Sequence, residues 1–97
     1  MFTFKCHKST GRYRSFYPDM WDIKISKRIC GAIYEKFDTP RFKASFAIKR
    51  DPTVENPAPF KWVFMKSKFE NIEDMKSYLQ LNFDKIIKSL DLYYFDD

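Results

Sequence analysis

The chain has 97 residues, a length that suits one domain, and it carries a net charge of +5 with eleven Phe, six Tyr and two Trp. This aromatic content excludes an intrinsically disordered chain, which lacks the apolar surface needed to fold. No apolar run reaches the ~18 residues of a membrane-spanning helix, and residues 1–8 lack the unbroken apolar stretch of a secretory signal, so a soluble cytoplasmic protein with no membrane partner is expected.

Apolar and polar residues alternate along most of the first two-thirds of the chain, which is the pattern of half-buried β-strands. The predicted strands cover residues 1–7, 21–25, 28–34, 41–50 and 60–66, and residues 12–17 form either a further short strand or a loop. Ser26 and Lys27 are predicted to form a short hairpin loop, and residues 35–40 a turn. Three prolines make residues 51–59 a loop, because proline removes a ladder donor and restricts the residue before it.

The apolar period changes to three and four residues after Asn71, which indicates an amphipathic helix over about residues 72–90. Asn71 is a suitable N-cap, and Asp74 lies three residues further on, as in a weak capping box. The aromatic and acidic tail, residues 91–97, is expected either to add an edge strand through residues 92–95 or to lie against the core. The prediction is an α+β domain over residues 1–97, strand-rich over 1–66, in which one C-terminal amphipathic helix packs on one face of an antiparallel sheet of about four to five strands.

The alternation also predicts which side chains the helix covers. The apolar positions of the third and last predicted strands are assigned to the covered face: Ile29, Gly31, Ile33, Phe60, Trp62 and Phe64. Gly31 within a strand indicates either a bulge or the close approach of a bulky side chain such as Trp21. The opposite side of the sheet, called the open face below, is predicted to carry the polar positions together with Cys30, Val63 and Met65.

Basic residues are concentrated in the strand-rich part of the chain. Residues 1–68 contain fifteen Lys and Arg against six Asp and Glu, a net charge of +9, whereas residues 69–97 have a net charge of −4. The alternation places His7 and most of these cations, with one tyrosine, on the open face, and the Arg-aromatic run at residues 12–17 adds two arginines. The candidate binding residues are Lys5, Arg12, Arg14, Lys24, Arg28, Tyr34, Arg41, Lys43, Lys49 and Lys61.

A basic face with interleaved aromatic side chains suits a polyanion, because cations neutralise phosphates and planar side chains stack on bases. The leading prediction is therefore a small non-catalytic protein that binds nucleic acid or a nucleoprotein complex. A solvated sheet face that carries Lys and Arg without binding anything is the alternative that requires no partner. An acidic protein surface is another candidate partner, and the acidic helix and tail could also meet the basic sheet of a second copy to form a homodimer.

The sequence argues against catalysis. Its one histidine, His7, could meet a thiol if Cys30 approached it across neighbouring strands, but no orienting or oxyanion group accompanies this pair. Two Cys and one His do not form a zinc pattern, and two glycines cannot form a phosphate loop, so no metal, no cofactor and no enzyme activity are predicted. Cys6 and Cys30 are expected to be free thiols, with a disulfide between neighbouring strands as the alternative.

A sheet backed by one helix resembles, in architecture only, the small DNA-binding modules at the front of some phage integrases. The chain is short and rich in Lys, Phe, Tyr, Ile and Asp, and in this it resembles the small accessory proteins of phages and mobile elements. Some of those proteins block host defence complexes, including CRISPR effectors. This resemblance implies a second functional hypothesis, an anti-CRISPR-like inhibitor or adaptor that acts through protein–protein interaction.

Overall fold

The computed structural model of the protein describes residues 1–8, 19–35 and 42–96. The strands are β1 (Phe2–Lys8), β2 (Asp19–Ile25), β3 (Arg28–Glu35), β4 (Phe42–Lys49), β5 (Phe60–Phe69) and β6 (Phe95–Asp96), and the helices are α1 (Ile72–Leu81) and α2 (Phe83–Ser89). The predictions for residues 12–17, for most of the turn at 35–40 and for Arg12, Arg14 and Arg41 fall outside the described residues.

The first five strands form one antiparallel sheet in the order in which they follow along the chain. The predicted α+β fold with an antiparallel sheet is thereby confirmed in outline. Ser26 and Lys27 connect β2 to β3 as predicted, and Ser26 adopts the left-handed backbone conformation with a φ of 57°. Neighbouring strands are joined in chain order, so the sheet is built largely from local pairings.

One side of the sheet packs against both helices. Its buried side chains come from alternate positions of the strands, as expected for strands that are half buried, and Met75, Leu79 and Ile86 of the helices complete the core. The Phe2 N–H donates to Gln80 Oε1 at 3.1 Å, and Gln80 Nε2 donates to the Phe2 carbonyl at 2.6 Å. These two hydrogen bonds join α1 to β1, which is one of the two edge strands of the sheet.

The prediction of one continuous helix over residues 72–90 was wrong, because two helices meet at Asn82. The predicted N-cap is confirmed, since the Asp74 N–H donates to Asn71 Oδ1 at 2.8 Å. At the break, Asn82 Nδ2 donates to the Tyr78 carbonyl at 2.8 Å. An Asn side chain that competes for a backbone carbonyl favours a helix end over a helix interior, which explains the break. In the described part of the chain, no helix is long and apolar enough to cross a membrane.

The tail after α2 enters the sheet instead of lying at its edge. The Tyr93 N–H donates to the Ala47 carbonyl at 2.9 Å, and the Lys49 N–H donates to the Asp91 carbonyl at 2.7 Å. Two residues further on, β6 pairs antiparallel with the first residues of β3. The tail therefore fills the gap where β3 and β4 diverge. The predicted strand pairing of the tail is found, but at an internal position and not at an edge.

Candidate functional site

The side of β5 that faces the helices is opposite to the predicted one. Phe46, a fully buried core residue, lies directly across from Val63, so Val63 points toward the helices and its neighbours point to the open face. Trp62 is 41% exposed and Phe64 is 53% exposed. The prediction that Phe60, Trp62 and Phe64 join the helix-covered core, with Val63 on the open face, was wrong.

The cause of this error is the composition and register of β5. Apolar side chains occupy both sides of this strand, so alternation alone does not choose the covered side. The pairing with β4 chooses it, and this pairing shifts between Lys43 and Ser45, where β5 contains two more residues than β4. Met65 lies in this irregular stretch and packs against the core instead of the open face. Two extra residues keep the alternation in phase, so Phe64 and Lys68, on either side of the irregular stretch, both lie on the open face.

A second bulge changes which residues β3 presents. Ile23 lies opposite Gly31 and Lys24 lies opposite Ile29, so Cys30 is an extra residue in β3. Cys30 is fully buried. Ile29 shares the open face with Lys24, the reverse of the prediction for Ile29 and Cys30. The bulge that Gly31 indicated is confirmed.

Two candidate cations consequently lie on the helix side of the sheet. The Arg28 guanidinium lies 4.9 Å from the centre of the Tyr94 ring, and Arg28 Nε is 3.7 Å from Asp96 Oδ1. Lys61 lies opposite Ile48, on the side away from the exposed rings. The prediction that Arg28 and Lys61 belong to the open face was wrong, because it counted alternation without the bulge in β3 and with the wrong side of β5 covered.

The other described candidates lie on the open face, where their strand positions place them: Lys5, Lys24, Tyr34, Lys43 and Lys49. The structure adds Lys68, which lies opposite Lys43 and was not among the candidates. The sequence signal for Lys68 was hidden because residues 67–69 fall beyond the predicted end of the last strand.

Six aromatic side chains lie on the open face and are called the aromatic patch: four that contact one another, Phe60, Trp62, Tyr93 and Phe95, and the neighbouring pair Tyr34 and Phe64. The Phe60 ring is stacked on that of Tyr93 with 5.0 Å between centroids, and the Trp62 and Phe95 rings are nearly parallel, 5.9 Å apart and inclined by 13°. The tail thus supplies two of the six rings. Sequence analysis missed the patch, although the aromatic alternation of the tail was a signal that the tail meets other rings.

Lysines border the aromatic patch. Lys43 Nζ lies 4.7 Å from the centre of the Phe64 ring, a cation–π contact. Lys49, at the other end of β4, lies opposite Phe60, and its Nζ is 3.7 Å from Asp91 Oδ1. The residues of β4 between these lysines that point to the open face are Ser45 and Ala47, both fully buried beneath the rings.

The open face also holds one acid that sequence analysis did not assign. Asp22 is largely buried, and its Oδ2 lies 2.5 Å from His7 Nε2. Cys30 lies on the other side of the sheet, where its Sγ donates to the Ile23 carbonyl at 3.5 Å and burial raises the pKa of the thiol to about 12. His7 and Cys30 therefore do not meet. Cys6 and Cys30 are free thiols, as expected.

The open face can therefore offer stacking surfaces and ammonium groups to a ligand. Within residues 1–8, 19–35 and 42–96, no group of three or more His, Cys, Asp or Glu side chains could hold a metal ion.

No family model, curated protein or solved structure gives a significant match to this chain. The chemistry of the open face is therefore the basis on which a function is proposed.

Proposed function

We propose that this protein binds nucleic acid, free or within a nucleoprotein complex, through the open face of its sheet and without a catalytic step. The exposure of Trp62 and Phe64 beside lysine ammonium groups carries this proposal. Rings on an exposed sheet surface provide stacking platforms for bases, and neighbouring lysines provide contacts to phosphates.

The distribution of charge supports the same proposal. Strand pairing places Lys5, Lys24, Lys43, Lys49 and Lys68 on the open face, and the carboxylates that meet this group are Asp22 beside His7 and Asp91 beside Lys49. The segment that contains both helices and the tail is acidic, with a net charge of −4 over residues 69–97. A molecule polarised in this way presents its cationic side to a polyanion.

Binding to labelled DNA and RNA, measured by fluorescence anisotropy at increasing salt, tests the proposal. Phosphate contacts release counterions, so the logarithm of the affinity should fall linearly with the logarithm of the salt concentration. Lys43→Glu should weaken binding to all sequences alike, whereas Lys61→Glu, the same change on the helix side, should leave it nearly unchanged. Absence of binding at low salt, or binding that ignores salt, would contradict the proposal.

A protein partner is the second candidate, favoured by the composition of the aromatic patch. Trp and Tyr are enriched among the residues that dominate protein–protein binding energy, and the patch includes Trp62, Tyr34 and Tyr93. Such an inhibitor or adaptor should capture the same protein from a lysate before and after nuclease treatment. Loss of every captured protein after nuclease treatment would favour the nucleic-acid proposal instead.

A further inference from the structure

We infer that the open face takes an unpaired strand of nucleic acid, with two of its bases stacked on Trp62 and Phe64. This inference rests on the proposed function and adds the form of the ligand to it. A protein that holds a duplex by its phosphates alone needs cations but no exposed rings. The structure provides both, in an order along β4 and β5 that suits a single strand.

The first observation is the contrast between the two tryptophans. Trp21 is 9% exposed and packs edge-on against Phe42 in the core, with 5.6 Å between ring centroids. Trp62 is 41% exposed, and Phe64, two residues further along β5, is 53% exposed. Two large aromatic side chains with surface free to contact a ligand thus lie side by side on one strand.

The second observation is the spacing of these two residues. Residues i and i+2 of a strand lie on the same face about 6.7 Å apart, since each residue rises ~3.3–3.4 Å. Adjacent bases of a duplex rise by ~3.4 Å and are stacked on one another, so they leave no free base faces for these rings. An unpaired strand extended to about twice that rise can place successive bases on Phe64 and Trp62.

The third observation is the position of the lysines along the same direction. On its open side β4 presents Lys43, Ser45, Ala47 and Lys49 in that order, beside the aromatic residues of β5. The two lysines are six residues apart, a distance of about 20 Å, and the small side chains between them are buried beneath the rings. Ammonium groups therefore stand at both ends of the row of rings, that of Lys43 over Phe64 and that of Lys49 beside the exposed Asp91 carboxylate, where the phosphates of a strand lying along the row would pass.

The fourth observation is that the rings are supported before any ligand arrives. The Phe95 ring lies nearly parallel to Trp62, and Tyr34 lies 6.5 Å from Phe64 between ring centroids. Rings fixed by neighbours lose little conformational freedom on binding, which favours affinity. The Lys43 ammonium lies over the Phe64 ring, 4.7 Å from its centre, so a base that stacks on Phe64 takes the ring surface that Lys43 leaves open.

Tryptophan fluorescence tests the inference directly, because Trp62 is the exposed member of the pair. The full chain is titrated with an oligothymidylate of about ten nucleotides, with an abasic strand of the same phosphate count, and with a duplex of the same length. We expect the oligothymidylate to quench the emission and to bind more tightly than the other two. Trp62→Phe should abolish the quenching while retaining binding measured by anisotropy, since Phe can still stack.

The stacking surfaces are tested by Phe64→Leu and Trp62→Leu, which retain apolar bulk and remove the ring. Each stacked base contributes about 1–3 kcal/mol, so each variant should weaken oligothymidylate binding roughly 5- to 150-fold. Affinity for the abasic strand should change by less than about twofold, because stacking contributes nothing to that ligand. Leu81→Ala, which removes an 87% exposed apolar side chain from the end of α1, is the control and should change neither affinity.

The outcomes separate this inference from the proposed function. If the abasic strand or the duplex binds as tightly as the oligothymidylate, with salt dependence and without quenching, the inference is overturned and binding through phosphates stands. If none of the three ligands binds at low salt, the proposed function fails and the inference fails with it. Unfolding curves that match the parent chain establish that the Leu variants are folded.

Discussion

Leu92→Ala tests whether the tail is an integral part of the sheet and of the aromatic patch. Leu92 pairs with Ile48 of β4 and is 5% exposed. Its neighbours on either side in the tail make backbone hydrogen bonds to β4. Removing three carbons of this side chain leaves a cavity at the point where the tail is anchored.

The expected loss of stability follows from this burial. Leu→Ala changes at buried core positions lower the free energy of unfolding by about 2–5 kcal/mol. A chain of 97 residues has a total of about 5–15 kcal/mol, so the loss is a large fraction of it. Leu81→Ala provides the matched control, because Leu81 is 87% exposed and its loss should cost no more than about 0.5 kcal/mol.

Urea unfolding followed by circular dichroism measures this difference, and tryptophan emission of the native state reports on the patch. Because Phe95 lies against Trp62, release of the tail should change the emission of Trp62 before the sheet unfolds. The Trp21→Phe background assigns that change to Trp62. A Leu92→Ala variant as stable as Leu81→Ala, with native emission, would show that the tail is not an anchored strand.

Three further changes have definite expected outcomes. A Cβ at Gly31 would lie 2.5 Å from the Ser45 carbonyl oxygen, so Gly31→Ala should lower the free energy of unfolding in urea by about 1–3 kcal/mol or more. The Cys30 thiol stays protonated in the folded chain up to about pH 12 but ionises near pH 9.0 when unfolded. The free energy of unfolding is therefore unaffected by this thiol below pH 9.0 and falls by about 1.4 kcal/mol per pH unit above it, because only the unfolded chain releases the proton. Urea unfolding across this pH range should show a smaller fall for Cys30→Ala. Asn71→Ala should cost about 1 kcal/mol in the same assay through loss of the cap on α1, whereas Ser77→Ala on the exposed side of α1 should cost little.

The parts of the fold that local sequence determines were predictable. Alternation located β1 to β5, because a strand with one apolar side can bury only that side. Asn71 located the start of α1 through its side-chain hydrogen bond to the chain three residues on. At Gly31 the bulge was predicted but not the nearest neighbours, since the three atoms closest to an added Cβ belong to Ser45, Phe46 and Ile23.

The parts that depend on pairing between distant residues were not predictable from alternation. The one-residue bulge at Cys30 exchanges the two faces of β3, and Gly31 indicated a bulge without showing which residue is the extra one. The bulge is why Arg28 was assigned to the open face. Lys61 was assigned to the open face and Trp62 to the core because β5 is apolar on both sides and only its pairing with β4 chooses the covered side. The place of the tail was also out of reach, because it depends on the divergence of β3 from β4 and on rings contributed by β5.

The register of β5 exposes Trp62 and Phe64, whereas a register shifted by one residue would expose the smaller Val63 and Met65. Aromatic side chains bury about 150–250 Å² each, and burial contributes about 25 cal/mol per Å². At 41% and 53% exposure, Trp62 and Phe64 each lack roughly 2 kcal/mol of the burial free energy that a fully covered ring would contribute. The smaller Val63 and Met65 are turned toward the helices instead. A ligand that covers the two rings regains this free energy on binding. Because ammonium groups border the rings, a ligand that is planar at the rings and anionic at their edge satisfies both features, and the proposed unpaired polynucleotide strand has this chemistry.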